Sequence, residues 1–316
     1  MNIDWLESNI IFECISGSHA YGLNTPESDI DYRGVCIAPE DYYFGLYEFD
    51  QHEQKDPDRV IYNIKKFANL ALQNNPNILE VFFMPEDCII KTTPEWEMLA
   101  SCRQAFLSKK VKHTYTGYAY AQLKRCMSHK SWLLHPVDHK PERSEFGIED
   151  NGMSRFDYGM LQSLEDKDQL GTLSNKEIIN LYIKEKNFRN ALKQYNQYQE
   201  WKLNRNPKRA ALEAIHGYDV KFMSHVFRLL IQGEHILREG TLQTRLNDGD
   251  RKYIMEIKSG KYSYEELIAA ADKKMADFEI YYNESKLPHS PDMATVNDTL
   301  KKVFHYHYKN LSYRDR

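Results

Sequence analysis

The chain has 316 residues, of which 41% are hydrophobic and 28% are charged, and its formal net charge is −4. This composition is that of a folded globular protein, and the length allows one large domain or two ordinary ones. Because the balance of charges is acidic, no global basic field draws the protein onto nucleic acid, and any such contact must be local.

The cysteines and the first residues of the chain indicate the compartment. Five cysteines are widely spaced without a Cys-x-x-Cys pair, which predicts reduced thiols rather than a disulfide framework. The N-terminus carries acids early and lacks the basic start and long apolar run of a secretory signal. No stretch approaches the roughly 18 apolar residues that a membrane helix needs. We therefore expect a cytoplasmic protein with no membrane partner.

The first hundred residues mix strand and helix patterns. Apolar residues 10–15 predict a strand that ends at Ser16-Gly17-Ser18. Residues 29–37 and 59–62 predict two further strands, and the last of these runs into an amphipathic helix at residues 64–72.

Helical spacing dominates the remainder of the chain. The predicted helices cover residues 94–107, 110–127, 175–201, 208–215, 219–238 and 264–284. Residues 129–151, rich in Pro, His, Asp and Glu, predict an irregular loop. We therefore predict an α+β protein, with a small α/β head built on a mixed sheet in residues 1–108 and a larger α-helical domain in residues 109–316.

Two aspartates, Asp29 and Asp31, form the first part of a candidate site. On a strand they project from the same face, and Ile30 between them turns into the core. Carboxylates this close repel each other and raise each other's pKa unless a cation lies between them. Hard divalent ions such as Mg²⁺ prefer carboxylate, phosphate and water oxygens, and two such ions can clamp the nucleophile and the leaving oxygen of a phosphoryl transfer.

The second part of the candidate site is the Gly17-Ser18 pair that follows the first strand. Glycine permits a tight turn and a close approach of the backbone to a ligand, while N–H groups and the Ser18 hydroxyl can hold a phosphate. A lone Gly-Ser or Asp-x-Asp is usually a solvated turn or strand edge. Their joint occurrence, in order and between two strand patterns, is hard to explain by packing alone.

Gly-Ser, a spacer of ten residues and Asp-x-Asp together resemble the signature of the polymerase-β nucleotidyltransferase superfamily. Further segments narrow this resemblance to a bacterial and phage nucleotidyltransferase family associated with RNA-repair genes. The segments are GSHAYGLNTPESDIDYRG, IKKFANLALQNNPNILEVFF, NPKRAALEAIHGYDVKFMSHVFRLL and LPHSPD, which together span residues 17–292.

The resemblance implies a polymerase-β-like catalytic head in residues 1–108 and a helical domain that completes the nucleotide site. It also implies a nucleoside triphosphate substrate and two Mg²⁺ ions, with Mn²⁺ as a substitute. The reaction would transfer a nucleoside monophosphate to an acceptor hydroxyl, with pyrophosphate as the leaving group.

The superfamily usually uses a third carboxylate on a neighbouring strand. Asp58 is our choice for this catalytic and metal-binding position, because it opens the strand at residues 59–62. The other candidates are Asp50, Glu53, Asp56 and Glu80. Arg33 follows Asp31 by two residues and shares its face on a regular strand, so it either binds a phosphate or forms a structural ion pair.

A cationic stripe on the helix at residues 219–238 is the distant part of the predicted nucleotide site. Lys221, His225 and Arg228 recur at helical spacing on an otherwise apolar element. Such a stripe suits triphosphate oxygens, which Arg228 can bind with two parallel hydrogen bonds. The alternative is a solvated face of a packed helix, with a carboxylate beside His225, and the family resemblance favours phosphate binding.

The acceptor leaves three alternatives open. The family's association with RNA repair favours an RNA end, although the acidic pI does not favour a long nucleic-acid footprint. A protein hydroxyl, as in AMP-adding or antitoxin-like enzymes, and a small molecule such as an aminoglycoside are the rivals. A catalytically inactive nucleotide sensor is a further alternative, which the intact Gly-Ser and Asp-x-Asp motifs disfavour.

Overall fold

A computed structural model describes residues 3–149 and 152–314, without the side chains of residue 208 and residues 310–314. The chain forms two compact units, Met1–Cys126 with Val220–Arg316, and Met127–Asp219. This division differs from the predicted one at residue 108. The last helix of the chain packs against residues Pro94–Ala100 and Arg103–Phe106 of the head, so the first unit combines both ends of the chain.

A mixed sheet forms the centre of the first unit. Its strands are β1 (Ile10–Ser16), β2 (Asp31–Cys36), β3 (Gln51–Lys55), β4 (Asp58–Asn63) and β5 (Ile89–Thr92). The strand order is β3-β4-β2-β1-β5, with β2 and β4 parallel and the other neighbours antiparallel. The predicted mixed sheet is therefore confirmed. Strands β3 and β5 lie at the two edges and are short and mostly exposed, so they lack the apolar pattern that predicts a strand.

The helices of the described residues account for the rest of the fold. They are α1 (Gly17–Tyr21), α2 (Asp41–Phe44), α3 (Ile64–Leu72), α4 (Pro76–Leu79), α5 (Pro94–Ala100), α6 (Val111–Leu134), α7 (Arg155–Asp166), α8 (Lys176–Asn204), α9 (Pro207–His216), α10 (Val220–Glu239), α11 (Asp248–Lys258), α12 (Tyr264–Glu284) and α13 (Met293–Arg314). None of those helices is long and apolar enough to cross a membrane. The predicted α+β class, a small head with a larger helical complement, is confirmed.

Several predicted element boundaries differ from the structure. The helix predicted at residues 94–107 ends at Ala100 and is followed by a 3₁₀ turn, Arg103–Phe106. The loop predicted at residues 129–151 is wrong over its first residues, because α6 continues to Leu134. Its last two residues lie outside the described part of the chain. Helices α7, α11 and α13 were not predicted.

An aromatic cluster holds α3 and α5 against the sheet. Phe12 of β1 stacks on Trp96 of α5 with ring centroids 4.1 Å apart, and Phe82 stacks on Trp96 at 5.2 Å. Phe67 of α3 meets Phe82 edge-on at 5.0 Å. Each such pair contributes about 0.5–1.5 kcal/mol beyond the burial of its area. The sheet that carries Asp31 therefore rests on a rigid core.

Helix α10 is buried over most of its length and packs against α11 and α12. A Cβ atom on Gly233 would lie 2.9 Å from both Tyr115 of α6 and Phe278 of α12. Because only glycine leaves this space, the three helices approach one another closely. The packing fixes α10, and with it Lys221 and His225, in the same unit as the sheet.

Candidate active site

The Gly17-Ser18 pair lies where β1 passes into α1. Strand β1 ends at Ser16, and Gly17 opens α1 with a φ of +65°, in the left-handed region. A Cβ atom on Gly17 would collide with the carboxylate of Asp31. The Asp31 side chain therefore lies directly against the Gly17 backbone, and both conformation and space require glycine here.

The predicted aspartate pair lies at the beginning of β2. Strand β2 begins at Asp31, which pairs with Ser16 of β1, and Asp29 precedes the strand in an irregular segment. The expectation that Ile30 faces the core is wrong, since its side chain is 42% exposed. The reason is that the alternation of faces starts only with the strand, two residues later than predicted. Asp29 is exposed and Asp31 is half-buried.

Asp58 lies at the same end of the sheet as Asp31. It opens β4, and the next residues, Arg59 of β4 and Tyr32 of β2, are register partners in the parallel pair. Arg33 donates a hydrogen bond from Nη1 to Asp58 Oδ1 at 3.0 Å. In this conformation Arg33 therefore forms an ion pair with the candidate third carboxylate.

The other carboxylates considered for the third position have different surroundings. Asp50 ion-pairs with Lys66, Glu53 accepts a hydrogen bond from Gln51, Asp56 lies in the turn between β3 and β4, and Glu80 is buried against Tyr21. Only Asp58 opens the strand that runs parallel to β2, so it remains our candidate.

Opposing charges surround the Asp31 carboxyl. Burial raises its pKa, and the neighbouring Asp58 and Asp29 carboxylates add to the rise, whereas Arg33 and Lys221 oppose it. A divalent cation would relieve this repulsion among carboxylates. Mg²⁺ is typically held by one or two carboxylates together with substrate phosphates and waters. The donor set of Asp29 and Asp31 therefore fits the ion that the resemblance implies.

Among the described residues, one group of three side chains could hold a metal ion, because its ligand atoms lie within 4.8 Å of one another. This group does not include Asp29, Asp31 or Asp58. It consists of His129, Glu213 and Asp219, all in the second unit. Glu213 accepts a hydrogen bond from Arg205 Nε at 3.1 Å, and Arg209 lies 3.9 Å from Asp219. Since an arginine already balances each acid, we interpret the group as an ion-pair cluster.

The three predicted cations of α10 have different environments. Lys221 is exposed and acts electrostatically on Asp31, and His225 is half-buried. Arg228 is only 2% exposed and donates hydrogen bonds to His225 Nδ1 at 3.1 Å and to Gln232 Oε1 at 2.6 Å. Its guanidinium is therefore buried and hydrogen-bonded to other side chains of the first unit.

A buried network around Glu80 connects α1 to α10. Tyr21 donates its hydroxyl to both Glu80 oxygens at 2.8 and 2.9 Å, and Arg228 Nη1 lies 3.4 Å from Glu80 Oε2. The Arg228 guanidinium also covers the Tyr21 ring, 4.1 Å from its centroid. Thr244 donates its hydroxyl to the Glu80 carbonyl at 3.1 Å. The network fixes the helix that begins with Gly17-Ser18 against the helix that carries Lys221.

Comparison of the chain with known proteins shows similarity to one protein family and to one phage protein. Residues 3–139 match the family described as "RNA repair pathway DNA polymerase beta family". The chain is also 22% identical over 331 aligned positions to an uncharacterised 38.9 kDa protein of the nrdC-mobD intergenic region of Enterobacteria phage T4, covering 91% of this chain and 95% of the phage protein. No solved structure matches the chain significantly.

The family match confirms the resemblance predicted from the Gly-Ser and Asp-x-Asp motifs. It covers the five strands of the described residues and the three aspartates. The match covers less than half of the chain, and it shows that this segment is similar to a polymerase-β-like family of an RNA repair pathway. Helices α10 and α11, which carry Lys221 and Lys258, lie outside the matched segment.

Sequence reasoning missed two further cations that contact the polymerase-β-like segment, one on α11 and one between α10 and α11. Lys258 of α11 donates from Nζ to the Leu23 carbonyl at 2.9 Å. Burial lowers the pKa of its ammonium group, and the positive charge of Lys221 lowers it further. Arg245 contacts the His19 carbonyl at 3.4 Å and ion-pairs with Asp87 at 2.8 Å. Both residues approach α1 only through tertiary packing, so no local sequence signal marks them.

Replacing Gly17 by alanine is expected to impair the site more than the fold. The left-handed conformation alone costs about 1–2 kcal/mol for a residue with a Cβ atom. In addition, the new methyl group must displace the Asp31 carboxylate. We therefore expect nucleotidyl transfer to fall by far more than the loss of thermal stability explains, as measured by initial rates and by melting temperature.

Gly22 provides the matched control for this substitution. It ends α1 with a φ of +73°, so Gly22→Ala has the same backbone cost. Its Cβ atom would lie 3.6 Å from Arg251 Cδ, an ordinary van der Waals contact. Equal losses of transfer in Gly17→Ala and Gly22→Ala would show that the approach of Asp31 to Gly17 is unimportant for the reaction.

Proposed function

We propose that the protein transfers a nucleoside monophosphate from a nucleoside triphosphate to a hydroxyl at an RNA end, in a Mg²⁺-dependent reaction. The observation that carries this proposal is the position of Asp31. Its carboxylate lies against the Gly17 backbone, at the same end of the sheet as Asp58, and is influenced electrostatically by Asp29 and Lys221. A turn that can bind phosphate, neighbouring carboxylates and a nearby cation are the parts that phosphoryl transfer needs.

The residues of the site have distinct roles in this proposal. Asp29 and Asp31 hold the metal ions, with Asp58 as the third carboxylate and the group that assists deprotonation of the acceptor hydroxyl. Bound Mg²⁺ supplies Lewis-acid stabilisation of the negative charge on the phosphoryl oxygens. The Gly17-Ser18 backbone and the Ser18 hydroxyl orient the triphosphate, as N–H groups at such turns do.

Cations from the C-terminal helices complete the proposed triphosphate site. Lys221 is exposed on the first turn of α10 and Lys258 lies at the end of α11. The two positive charges repel each other, and a bound polyanion would offset this repulsion. Arg228 acts differently in this proposal, because its buried contact with Glu80 positions α10 rather than touching the substrate.

The acceptor is tested by incubating the protein with α-labelled NTPs, Mg²⁺ and single-stranded RNA, and by a parallel reaction without RNA. We expect label on the RNA, and none when Asp29→Ala/Asp31→Ala replaces the wild type. Label on protein alone would instead support the AMP-adding rival. Calorimetry with ATP and Mg²⁺ separates binding from transfer, because a nucleotide sensor would bind without transferring.

Asp58→Asn is expected to lower the transfer rate by about 10²-fold or more, the range of a general base. The test is the initial rate at saturating NTP, since the effect should fall on kcat. Asp56→Asn is the matched control, because Asp56 is the rival carboxylate two residues earlier, in the turn before β4. A larger loss in Asp56→Asn than in Asp58→Asn would reassign the third carboxylate.

Lys221→Ala and Lys258→Ala are each expected to raise the KM for the NTP by roughly 10- to 100-fold, since a hydrogen bond to a charged group contributes about 1.5–3 kcal/mol. The salt dependence of KM should weaken in both variants. Lys252→Ala is the control, because Lys252 is exposed on the same helix as Lys258. An unchanged KM in both test variants would remove these lysines from the triphosphate site.

A further inference from the structure

A pocket of about 490 Å³ lies in the first unit between α2, the start of α3 and the C-terminal half of α13. The Tyr43 and Phe304 rings meet edge-on with centroids 4.8 Å apart, and Phe304 stacks with Tyr308 at 6.2 Å. A volume of this size is typical of small-molecule sites, which range from about 300 to 1,000 Å³. None of the site residues described above lines it.

Hydrogen bonds to the chain that follows β2 fix two of these rings. The Tyr43 hydroxyl accepts from the Ala38 amide at 3.1 Å and donates to Asn63 Oδ1 at 3.1 Å. The Tyr308 hydroxyl donates to the Ala38 carbonyl at 3.0 Å. The aromatic faces are therefore held in place before any ligand arrives, which lowers the entropy cost of stacking.

The charge around the pocket is positive, although the chain as a whole is acidic. Its lining includes Lys65, Lys301 and Lys309, against the single carboxylate of Glu40. Lys65 lies 5.6 Å from the centroid of the Tyr43 ring. Lys301 ion-pairs with Asp298 at 3.2 Å, but both side chains are about two-thirds exposed and such pairs are weak. An anionic ligand with an aromatic group matches this combination.

Phe44 places a further aromatic ring at the mouth of the pocket, with 81% of its surface exposed. Exposed aromatic rings beside lysines are the parts with which proteins hold single-stranded nucleic acid, since bases stack on the rings and phosphates contact the cations. The three lysines beside these rings therefore favour a polyanionic ligand with aromatic bases.

We propose that this pocket binds one nucleotide of a single-stranded nucleic acid, with the base against the aromatic rings and the flanking phosphates on Lys65 and Lys301. This proposal rests on the proposed function, because the bound nucleic-acid strand is the acceptor of the nucleoside monophosphate. The pocket lies at the end of β2 opposite to Asp31, about 20 Å away for a six-residue strand. It anchors the strand at a distance from the reacting end.

The test is fluorescence anisotropy with labelled oligouridine of about 12 nucleotides, within the site size of known single-strand binders. NTP is omitted and EDTA is present, so that the carboxylate site cannot contribute through metal. Phe44→Ala is expected to raise Kd by about 5-fold or more, because the loss of one base stack has this effect. Lys65→Glu/Lys301→Glu should raise Kd further and reduce the slope of log K against log salt by about 0.7 per lost phosphate contact.

Two controls separate this proposal from the proposed function. Lys273→Glu/Lys286→Glu changes the net charge equally, at exposed positions of the first unit outside the pocket, and should leave Kd and salt slope near wild type. Asp29→Asn/Asp31→Asn should retain oligonucleotide binding and lose transfer. Conversely, the pocket variants should retain ATP-Mg²⁺ binding in calorimetry.

Equal effects of the pocket variants and the control double variant would overturn the pocket proposal, as would a wild-type Kd above about 100 μM, the weak limit of non-specific binding. If the pocket variants lose binding but the wild type transfers no nucleotide to RNA, the proposed function fails and the pocket stands. A parallel titration with oligodeoxythymidine decides whether RNA or DNA is the preferred strand. Binding of neither strand overturns the pocket proposal.

Discussion

Asp31→Asn is expected to lower kcat for nucleotidyl transfer by about three powers of ten or more. Asparagine keeps the size of the side chain but removes the negative charge that holds a divalent ion beside the phosphoryl group. The stabilisation from such an ion is several kcal/mol, and each 1.4 kcal/mol or so corresponds to a factor of ten in rate. Initial rates at saturating NTP and Mg²⁺ measure the effect.

The same substitution should not weaken the fold. Burial raises the pKa of the Asp31 carboxyl, so its charged form is disfavoured in the folded state. Removing the charge should therefore leave the melting temperature equal to or above that of the wild type in the absence of metal. Glu27→Gln is the control, since Glu27 is an exposed acid in the same loop. Activity within about tenfold of wild type in Asp31→Asn would place the reaction elsewhere.

The local part of the candidate site could be predicted because short-range signals determine it. The apolar strand before Gly17 and the carboxylates after the Pro26 turn are patterns that one sequence displays, and the helix predicted at residues 64–72 has the predicted bounds. Strand β2 begins two residues later than predicted, because the sequence DIDYRGVC has the pattern of one continuous strand. The structure begins the pairing only where Asp31 lies opposite Ser16.

Long-range contacts account for most of what could not be predicted. Periodicity placed Arg228 on the same stripe as Lys221, yet the structure pairs it with Glu80, 148 residues earlier. Charge and spacing cannot distinguish a phosphate ligand from a buried ion pair when the partner is so distant in the chain. Lys258 is the opposite case, a cation that the sequence pattern did not mark. It lies beside Leu23 only because of tertiary packing.

Arg228→Met is expected to destabilise the first unit by about 3–5 kcal/mol, because it leaves the buried Glu80 carboxylate without its cation. Methionine approximates the length and the apolar stem of arginine, so the loss reports mainly on charge. The free energy of unfolding in urea measures it. Because Arg228 and Tyr21 join α10 to α1, the KM for the NTP should also rise in the variant.

The pH dependence of the loss identifies Glu80 as its source. Burial raises the pKa of Glu80, and Arg228 opposes the rise, so the Arg228→Met variant should have a still higher Glu80 pKa in the folded state. A raised folded-state pKa contributes stability below the unfolded-state pKa of about 4.3, and this contribution is lost as the pH rises through the folded-state pKa. The deficit of Arg228→Met should therefore grow between acid and neutral pH.

Glu80→Gln/Arg228→Met completes the test, because it removes both charges and keeps an oxygen to accept the Tyr21 hydroxyl. The double variant should recover much of the lost stability, with a deficit that does not change with pH. Replacing a buried ion pair by neutral groups is often close to neutral for stability, whereas removing one partner is not. A deficit in Arg228→Met that is independent of pH and equal to that of the double variant would mean that packing, rather than the Glu80 charge, makes Arg228 important.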